Sequence, residues 1–366
     1  MSIDSINLLN FRQFSAAKLT PLRDGFTWIV GNNASGKTSL LEAIHCLSMG
    51  RSFRTTLIPP LIKQDEHEFI LFAELQEANQ VSSSIGIKRS RHNDMELHIN
   101  GETVSTLSAL APLLPVRAIH SQSHQLFEMG PQFRRKYLDW GLFYQFPDFL
   151  KCWRTYEQIL KQRNQLLRMQ KAYSAEIEPW TVALSNAAEE LDSLRKQYVE
   201  KLEPYFYAYV QELLPDVPFI MDYSSGWSKF VSFQEALKAT FNEECRLGYT
   251  VVGPHKADLN LQSLGMPVKQ FLSRGQQKLL ICAMILAQGS LCFQAVGRQI
   301  VYLVDDLTSE LDFESSKRLL TVLSQQKAQV FLSAITGDEI LKTISTCPAA
   351  MKMFHVKHQR LEEQNI

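Results

Sequence analysis

Apolar and polar positions along the chain change their period several times. Residues 1–30 alternate in short runs, and FTWIV at 26–30 is the clearest strand. After a Gly-containing turn, Leu40, Leu41, Ile44 and Leu47 share one face at helical spacing and predict a helix. From 68 to about 100 the alternation returns in FILFAEL, SSSIGIKR and ELHIN. The last run closes on Asn100-Gly101, a dipeptide that suits a tight hairpin turn. Residues 1–120 therefore read as a mixed α/β lobe.

The pattern changes near Gly130. From 132 to 214 the chain is rich in Leu, Gln, Glu, Lys and Arg and carries almost no strand signal. Two long helices are predicted, at about 148–172 and 178–214, joined by YSAEIEP and forming an antiparallel helical hairpin. Pro204 is placed to kink the second. Beyond Gly253 the chain turns α/β again, with short strands around 259–271 followed by a helix opening near LSRGQ. A buried strand at 300–304, a helix at 313–325, a second buried strand at 329–335 and a solvated tail from about 357 complete it. The expected organisation is an α/β unit in two pieces, 1–125 and 251–366, interrupted by a helical lobe at 126–250.

Composition narrows the function classes only a little. A chain of 366 residues has ample length for two or three domains. Lys plus Arg and Asp plus Glu balance at 38 each, so a nucleic-acid partner would require a local basic face rather than bulk charge. The six cysteines are scattered without a CxxC pair, which reads as free thiols in a reducing compartment. The N-terminus lacks a basic region leading into an apolar block, and the longest apolar run, near 279–287, is too short to span a bilayer. The expectation is a cytoplasmic protein with no membrane partner.

Chemistry enters with GNNASGKT, comprising Gly31, Asn32, Asn33, Ala34, Ser35, Gly36, Lys37 and Thr38. It fits G-x-x-x-x-G-K-[ST], the phosphate-binding P-loop. Gly31 and Gly36 permit backbone angles that let successive N–H groups wrap an anion. Lys37 supplies a positive charge for the β- and γ-phosphates of a nucleotide, and the Thr38 hydroxyl can ligate Mg²⁺. The motif follows a predicted strand and opens a predicted helix, whose positive dipole end faces the same phosphates.

The second strand pattern, IVYLVDDLTSELD, places Asp305 and Asp306 at the C-terminal end of an apolar strand, where α/β sheets bind ligands. Asp305 is placed to reach Mg²⁺, and Asp306 to orient an attacking water. The bland alternative is a helix N-cap after a core strand. Upstream of both, LSRGQ puts Ser273, Gly275 and Gln276 at the start of an apolar helix, a second anion site at a helix N-terminus; capping by Ser273 is compatible with that reading.

The P-loop, LSRGQ, the paired aspartates and SELD come in a fixed order. That order resembles the ATP-binding-cassette (ABC) ATPases, whose LSxGQ signature caps the γ-phosphate held by a second head. Further stretches narrow the resemblance: LLNFRQF, LEAIHCLSMGRSFRT, GPQFRRKYLDW, VVGPHKADL and VDDLTSELD are together similar to the RecF family, bacterial recombination-repair proteins of the SMC-like branch. The resemblance covers nearly the whole chain. It implies an α/β ABC-type P-loop ATPase head with a helical insertion lobe, ATP and Mg²⁺ as cofactors, and a homodimer formed on ATP binding. It also implies DNA as partner, single-stranded and duplex without sequence specificity, held at gaps or junctions. RecR, with RecO, is the implied protein partner, and RecA loading, fork maintenance and SOS induction are the implied outcomes.

Some positions depart from the general cassette pattern. Ala34 stands where many relatives have glycine, Asp306 replaces the glutamate usual in transporters, and no histidine follows QVFLSAI. These departures imply slow hydrolysis, a timer rather than a metabolic reaction. Gln122 is the candidate for the Q-loop. The remaining basic residues keep two readings each. Lys88, Arg89 and Arg91 are phosphate contacts or a solvated face; Arg134, Arg135 and Lys136 touch phosphates, or Arg134 and Arg135 instead pair with acidic neighbours; Arg51 and Arg54 follow the P-loop helix closely enough to meet nucleotide or DNA. His255 and Lys256 sit in GPHKADL without a role legible in sequence, and Trp140, Trp153 and Trp180 read as packing anchors. Two competing classes are a transporter-type cassette ATPase and a P-loop kinase; the helical insertion weighs against the first, and LSRGQ against the second.

Overall fold

A computed structural model of the chain describes residues 2–76, 81–169, 176–307, 311–326, 328–335, 342, 344–345, 349–357 and 359–364. It divides into two compact units: residues 1–124, 212–214 and 274–366 in the first, and 125–211 and 215–273 in the second.

The first unit holds two six-stranded sheets. One is antiparallel, in the order β2-β1-β4-β5-β6-β7, from β1 (Ser2–Phe11), β2 (Phe14–Leu19), β4 (Glu68–Gln76), β5 (Ser82–Ser90), β6 (Met95–Ile99) and β7 (Glu102–Thr103). Its strands β4 and β5 alternate buried and less buried positions, as a sheet packed on one face requires. The β6–β7 turn uses Asn100 at φ 52° and Gly101 at φ 83°, the two left-handed residues that match the twist of a hairpin.

The other sheet runs β15-β14-β3-β13-β12-β8 and includes β3 (Gly25–Val30), β8 (Val116–Ile119), β12 (Val301–Val304), β13 (Gln329–Ala334), β14 (Met351–Lys357) and β15 (Arg360–Gln364). Its centre is parallel, with β3, β13, β12 and β8 in register so that Val30 pairs Ala334, Val304 pairs Leu332 and Val304 also pairs Ile119. Every residue of β12 and β13 is buried, the continuous apolar signature of strands covered on both faces.

Between the sheets lies α1 (Lys37–Met49), buried almost all round. Leu40, Ile44 and Leu47 join Ile3, Leu8, Phe14, Leu71 and Phe331 in one core. A helix with two covered faces does not need a narrow apolar stripe. It stops at Gly50, in the left-handed region at φ 64°, whose N–H returns to Cys46 O at 2.7 Å. α8 (Arg274–Val296) is a second core helix of this unit, and α9 (Phe313–Gln325) is capped by Asp312, which accepts from Ser315 N.

The second unit contains α2 (Gln125–Glu128), α3 (Pro131–Gln145), α4 (Phe149–Arg168), most of α5 (Glu178–Leu213), α6 (Phe233–Leu247) and α7 (Val268–Phe271). A three-stranded sheet, β11-β10-β9, completes it, from β9 (Ile220–Ser224), β10 (Asp258–Ser263) and β11 (Met266–Pro267).

Several sequence expectations need adjustment. The units part at 124/125 and 273/274, not at 250/251. Strand β10 pairs with β9, so residues 251–273 pack with the helical unit. The first long helix ends at Arg168, and its expected last residues, 170–172, lie outside the described residues. The expected tail from 357 is instead the hairpin β14–β15, with Val356 paired to Leu361. Helices α3 and α6 were not separately expected. The length argument against a membrane span also fails, because α8 has 23 residues and is long and apolar enough to cross one. It is mostly buried inside the protein, as the core helix of a globular unit is. Among the described residues, Cys46, Cys152, Cys245, Cys282 and Cys292 are free.

Candidate functional site

The site is built where parallel strands end. Strands β3, β12 and β8 finish on one edge of the sheet, and the chain continues from them into Gly31, Asp305 and His120. The sequence apposes these segments only through that register.

Gly31 follows β3 with φ 157°, and Ala34 and Gly36 have φ 61° and 118°. A Cβ on Gly36 would lie 2.5 Å from Gln13 Nε2 and 2.6 Å from Phe14 Cζ, so only glycine fits. Gln13 also donates from Nε2 to Ala34 O at 3.2 Å and accepts from Ser39 Oγ at 3.3 Å. It braces the loop from the β1–β2 turn. Sequence reasoning missed this residue, whose signal was its place beside Arg12 in LLNFRQF.

Lys37 is buried and its Nζ donates to Gly31 O and Asn32 O, both at 2.9 Å. Burial lowers its pKa, against the raising pull of Asp306 and Asp305. The ammonium thus closes the loop on itself and faces two carboxylates. The Ser35 hydroxyl is buried and has no hydrogen-bond partner. Asn32, Asn33 and Ala34 form the exposed rim. A tight glycine loop, a buried lysine and an unanswered hydroxyl suit the oxygens of a polyphosphate.

Thr38, the second residue of α1, points Oγ1 between Asp305 Oδ1 and Oδ2, at 2.9 and 3.1 Å. Ser333 on β13 donates to Asp305 Oδ1 at 2.6 Å and accepts from Asp306 N at 2.8 Å. A hydroxyl and a carboxylate held together offer the hard oxygen pair that Mg²⁺ prefers. Among the described residues there is no cluster of three or more His, Cys, Asp or Glu able to hold a metal alone, so such an ion would rely on phosphate and water for its remaining ligands.

Asp306 lies in the left-handed region at φ 53°. Its carbonyl accepts from Lys278 Nζ at 3.1 Å, and Lys278 stands in the opening turns of α8 behind Gly275 and Gln276. Ser273 is exposed and immediately precedes α8, and Gly275 and Gln276 are partly exposed in its first turn. Gln122 lies in the short 3-10 turn Ser121–His124 after β8, at the same sheet edge as Asp305. Its side chain is exposed, and its backbone N–H donates to His120 Nδ1 at 3.2 Å. In the expected SELD segment, 309–312, residues 309–310 lie outside the described residues, and Asp312 caps α9.

The motifs flanking the P-loop are structural. Glu42 on α1 is fully buried and receives Arg12 Nε at 2.7 Å, Arg12 Nη2 at 2.5 Å and the Ser52 hydroxyl. Ser52 in turn caps Arg54 N at 2.8 Å and Thr55 N at 3.1 Å. GRSFR is thereby fastened to the P-loop helix, leaving Arg51 and Arg54 exposed. In the second unit, GPHKADL is a junction. His255 links Tyr156 Oη at 2.6 Å and Thr250 O at 3.0 Å, Arg195 donates to Pro254 O at 2.7 Å, and Arg135 donates to Ala257 O at 2.8 Å. Arg134 forms a two-pronged bond to Asp258 at 2.7 and 3.0 Å, which selects the pairing reading for it.

Lys88 lies between Glu68 and Glu96 at 3.3 and 3.2 Å, and Arg91 donates to Glu66 O and Lys63 O. Arg89 donates to Met95 sulfur and Asn93 Oδ1. Of these three cations Lys88 is paired with carboxylates, whereas Arg89 and Arg91 bond neutral groups. Trp140 is buried among helices, whereas Trp180 is exposed at 36%.

The sequence profile of the RecF/RecN/SMC N-terminal domain family matches residues 2–361. Proteins named DNA replication and repair protein RecF from Shewanella pealeana and Shewanella piezotolerans are each 42% identical over 361 residues, 99% of this chain and 99% of theirs. Among solved structures, the recombination mediator protein RecF with ATP in the RecFOR pathway superposes with a TM-score of 0.85 at 23% identity, covering 100% of this chain and 98% of that one. An SMC head bound to the C-terminal winged-helix domain of ScpA gives a TM-score of 0.62 at 15% identity, covering 100% and 98%. The structural likenesses show that the fold is that of RecF and of SMC heads, with a helical insertion, and the family profile agrees with an SMC-like, ABC-type head. With the family profile spanning nearly every residue and the sequence identity extending from end to end, the chain belongs to the RecF family.

Proposed function

We propose that the chain is an ATP-gated DNA-binding protein of recombinational repair. In this reading ATP with Mg²⁺ binds the first unit, two copies close on the nucleotide, and the dimer holds DNA at gaps or junctions of single and double strands. RecR, with RecO, is the proposed protein partner, and placing RecA on single strands the proposed outcome, at the nucleoid in the cytoplasm. The observation that carries the nucleotide reading is the meeting of Lys37, Thr38, Asp305 and Asp306 on one sheet edge, with Lys278 of the LSRGQ helix bonded to the last of them. The DNA and repair parts rest on family membership and on the names of the relatives.

Each residue has a separable task. The backbone of 31–36 and the α1 N-terminus would cradle phosphate oxygens, with Lys37 exchanging its carbonyl partners for them. Thr38 and Asp305 would ligate Mg²⁺, whose charge offsets that of the phosphates. Asp306 would accept the hydrogen of an attacking water, and Gln122 would help orient it. Ser273, Gly275 and Gln276 would cap the γ-phosphate held by the other copy. One head would therefore complete the site of the other. Hydrolysis is proposed to be slow, a timer that reopens the dimer.

The test is equilibrium binding of a fluorescent ATP analogue with and without Mg²⁺, comparing the unsubstituted chain with Lys37→Arg. Binding that weakens at least tenfold in the variant is expected. Equal affinity would remove the P-loop from the account.

A further inference from the structure

Asp306 is held by its backbone from two directions. Ser333 Oγ bonds the peptide N–H before it at 2.8 Å, and Ser333 O accepts the Leu307 N–H after it at 3.2 Å. The carbonyl of that second peptide is the atom that Lys278 grips at 3.1 Å. The 306–307 peptide is thus pinned at its N–H by strand β13 and at its oxygen by helix α8. Between the two pins sits a non-glycine residue at φ 53°. A left-handed aspartate costs energy and persists only where its surroundings over-determine it.

Lys278 is itself buried, 7% exposed. It lies three residues after Gly275, on the adjoining turn of the same helix face. A buried ammonium group requires polar partners, and the Asp306 carbonyl is one of them. Movement of the opening turns of α8 along or about the helix axis would carry Nζ with it, and would change the grip on the 306–307 peptide. The Asp306 carboxylate, one residue from the Thr38–Asp305 pair, takes its direction from that backbone.

We infer that Lys278 is a positioning residue for the proposed ATPase: it holds Asp306 in its left-handed turn and so ties the aim of this carboxylate to the state of the LSRGQ helix. The inference rests on the nucleotide reading above and adds a mechanical link within one head. A phosphate engaging Gly275 and Gln276 acts on the helix end that carries Lys278. The head's own water-orienting carboxylate is thereby informed that its signature helix is occupied.

The experiment compares Lys278→Met, which keeps length and apolar bulk, with Lys278→Arg, which keeps the donor. Single-turnover ATP hydrolysis and ATP-analogue affinity are measured on the full chain. Lys278→Met is expected to bind nucleotide as the unsubstituted chain does but to hydrolyse it about tenfold more slowly, about 1.4 kcal/mol on the barrier. Lys278→Arg is expected to recover most of that rate. Should Lys278→Met fail to fold, Lys278→Leu takes its place, with the same expected loss of rate at unchanged analogue affinity. Hydrolysis by Lys278→Met at the unsubstituted rate, or a loss of binding as large as the loss of rate, would overturn the positioning role. Failure of the unsubstituted chain to bind the analogue would instead overturn the nucleotide reading, and the positioning role with it.

Discussion

Thr38 and Asp305 are separated by 267 residues of sequence, yet the threonine hydroxyl bisects the aspartate carboxylate at 2.9 and 3.1 Å. Parallel pairing of β12 and β13, and of β13 and β3, brings them together, because it ends the strands on one line. Asp305→Asn preserves shape and removes the charge that an ion requires. Mg²⁺-dependent nucleotide binding should weaken, and hydrolysis should fall about 10- to 100-fold, about 1.4–2.7 kcal/mol. A Mg²⁺ titration of ATP-analogue binding checks it; an unchanged midpoint would exclude Asp305 as a ligand.

Gly36 is the point where the loop tolerates no side chain. In Gly36→Ala the methyl would meet Gln13 Nε2 and Phe14, at a φ of 118° that alanine disfavours. Nucleotide affinity should drop by about tenfold or more. Equilibrium titration decides this, with circular dichroism to confirm that the fold persists.

The second unit contains an independent stability test. Arg163 and Glu244 are both fully buried and paired at 2.7 Å, with Arg163 also donating to Thr250 Oγ1 at 2.6 Å and Thr181 Oγ1 at 3.1 Å. Replacing Glu244 with Ala leaves a buried guanidinium short of its charge partner. The expected destabilisation is about 3–5 kcal/mol, measured as the change in urea unfolding of the phase that reports on this unit.

His255 supplies a pH dependence. Burial pushes its pKa down to about 4, with Lys256, Arg135 and Arg195 adding to the shift and the Thr250 carbonyl opposing it. The ring is therefore neutral in the fold, donating from Nε2 to Thr250 O and accepting at Nδ1 from the Tyr156 hydroxyl. Since the folded pKa lies below the ordinary value near 6.5, its contribution to stability is complete above that value and is lost as pH falls toward 4. Between pH 7 and pH 5 the loss should be about 1–2 kcal/mol for this residue. In His255→Gln the pH slope of the unfolding free energy should flatten over that interval; an unaltered slope would show that other groups carry it.

The P-loop and the paired aspartates were legible because their chemistry is local, with glycine, lysine and threonine at fixed spacing and an apolar strand ending in two acids. GRSFR and GPHKADL were legible as signals but not as structures. The meaning of Ser52 depends on Glu42 and Arg12, and that of His255 on Tyr156 and Thr250. Such partnerships are set by tertiary packing. Strand β15 escaped notice because its residues are nearly all exposed, so no alternation marks it. Helix α6 was missed although its start carried a signal: Ser232 caps Glu235 N at 3.2 Å in an S-x-x-E box. Lys278 was hidden inside an apolar helix, where a lysine reads as an interruption until its partner on Asp306 is seen.

Sedimentation velocity with and without ATP, alone and with a gapped duplex, is the direct test of the proposal that nucleotide makes this chain a dimer that retains DNA. The account predicts a monomer without ATP, a dimer with it, and co-sedimentation with the duplex only in the ATP state. Ser273→Arg, altered at the residue just before α8, should bind nucleotide and remain monomeric. A chain that stays monomeric with saturating ATP, or a Ser273→Arg protein that dimerises normally, would contradict the account.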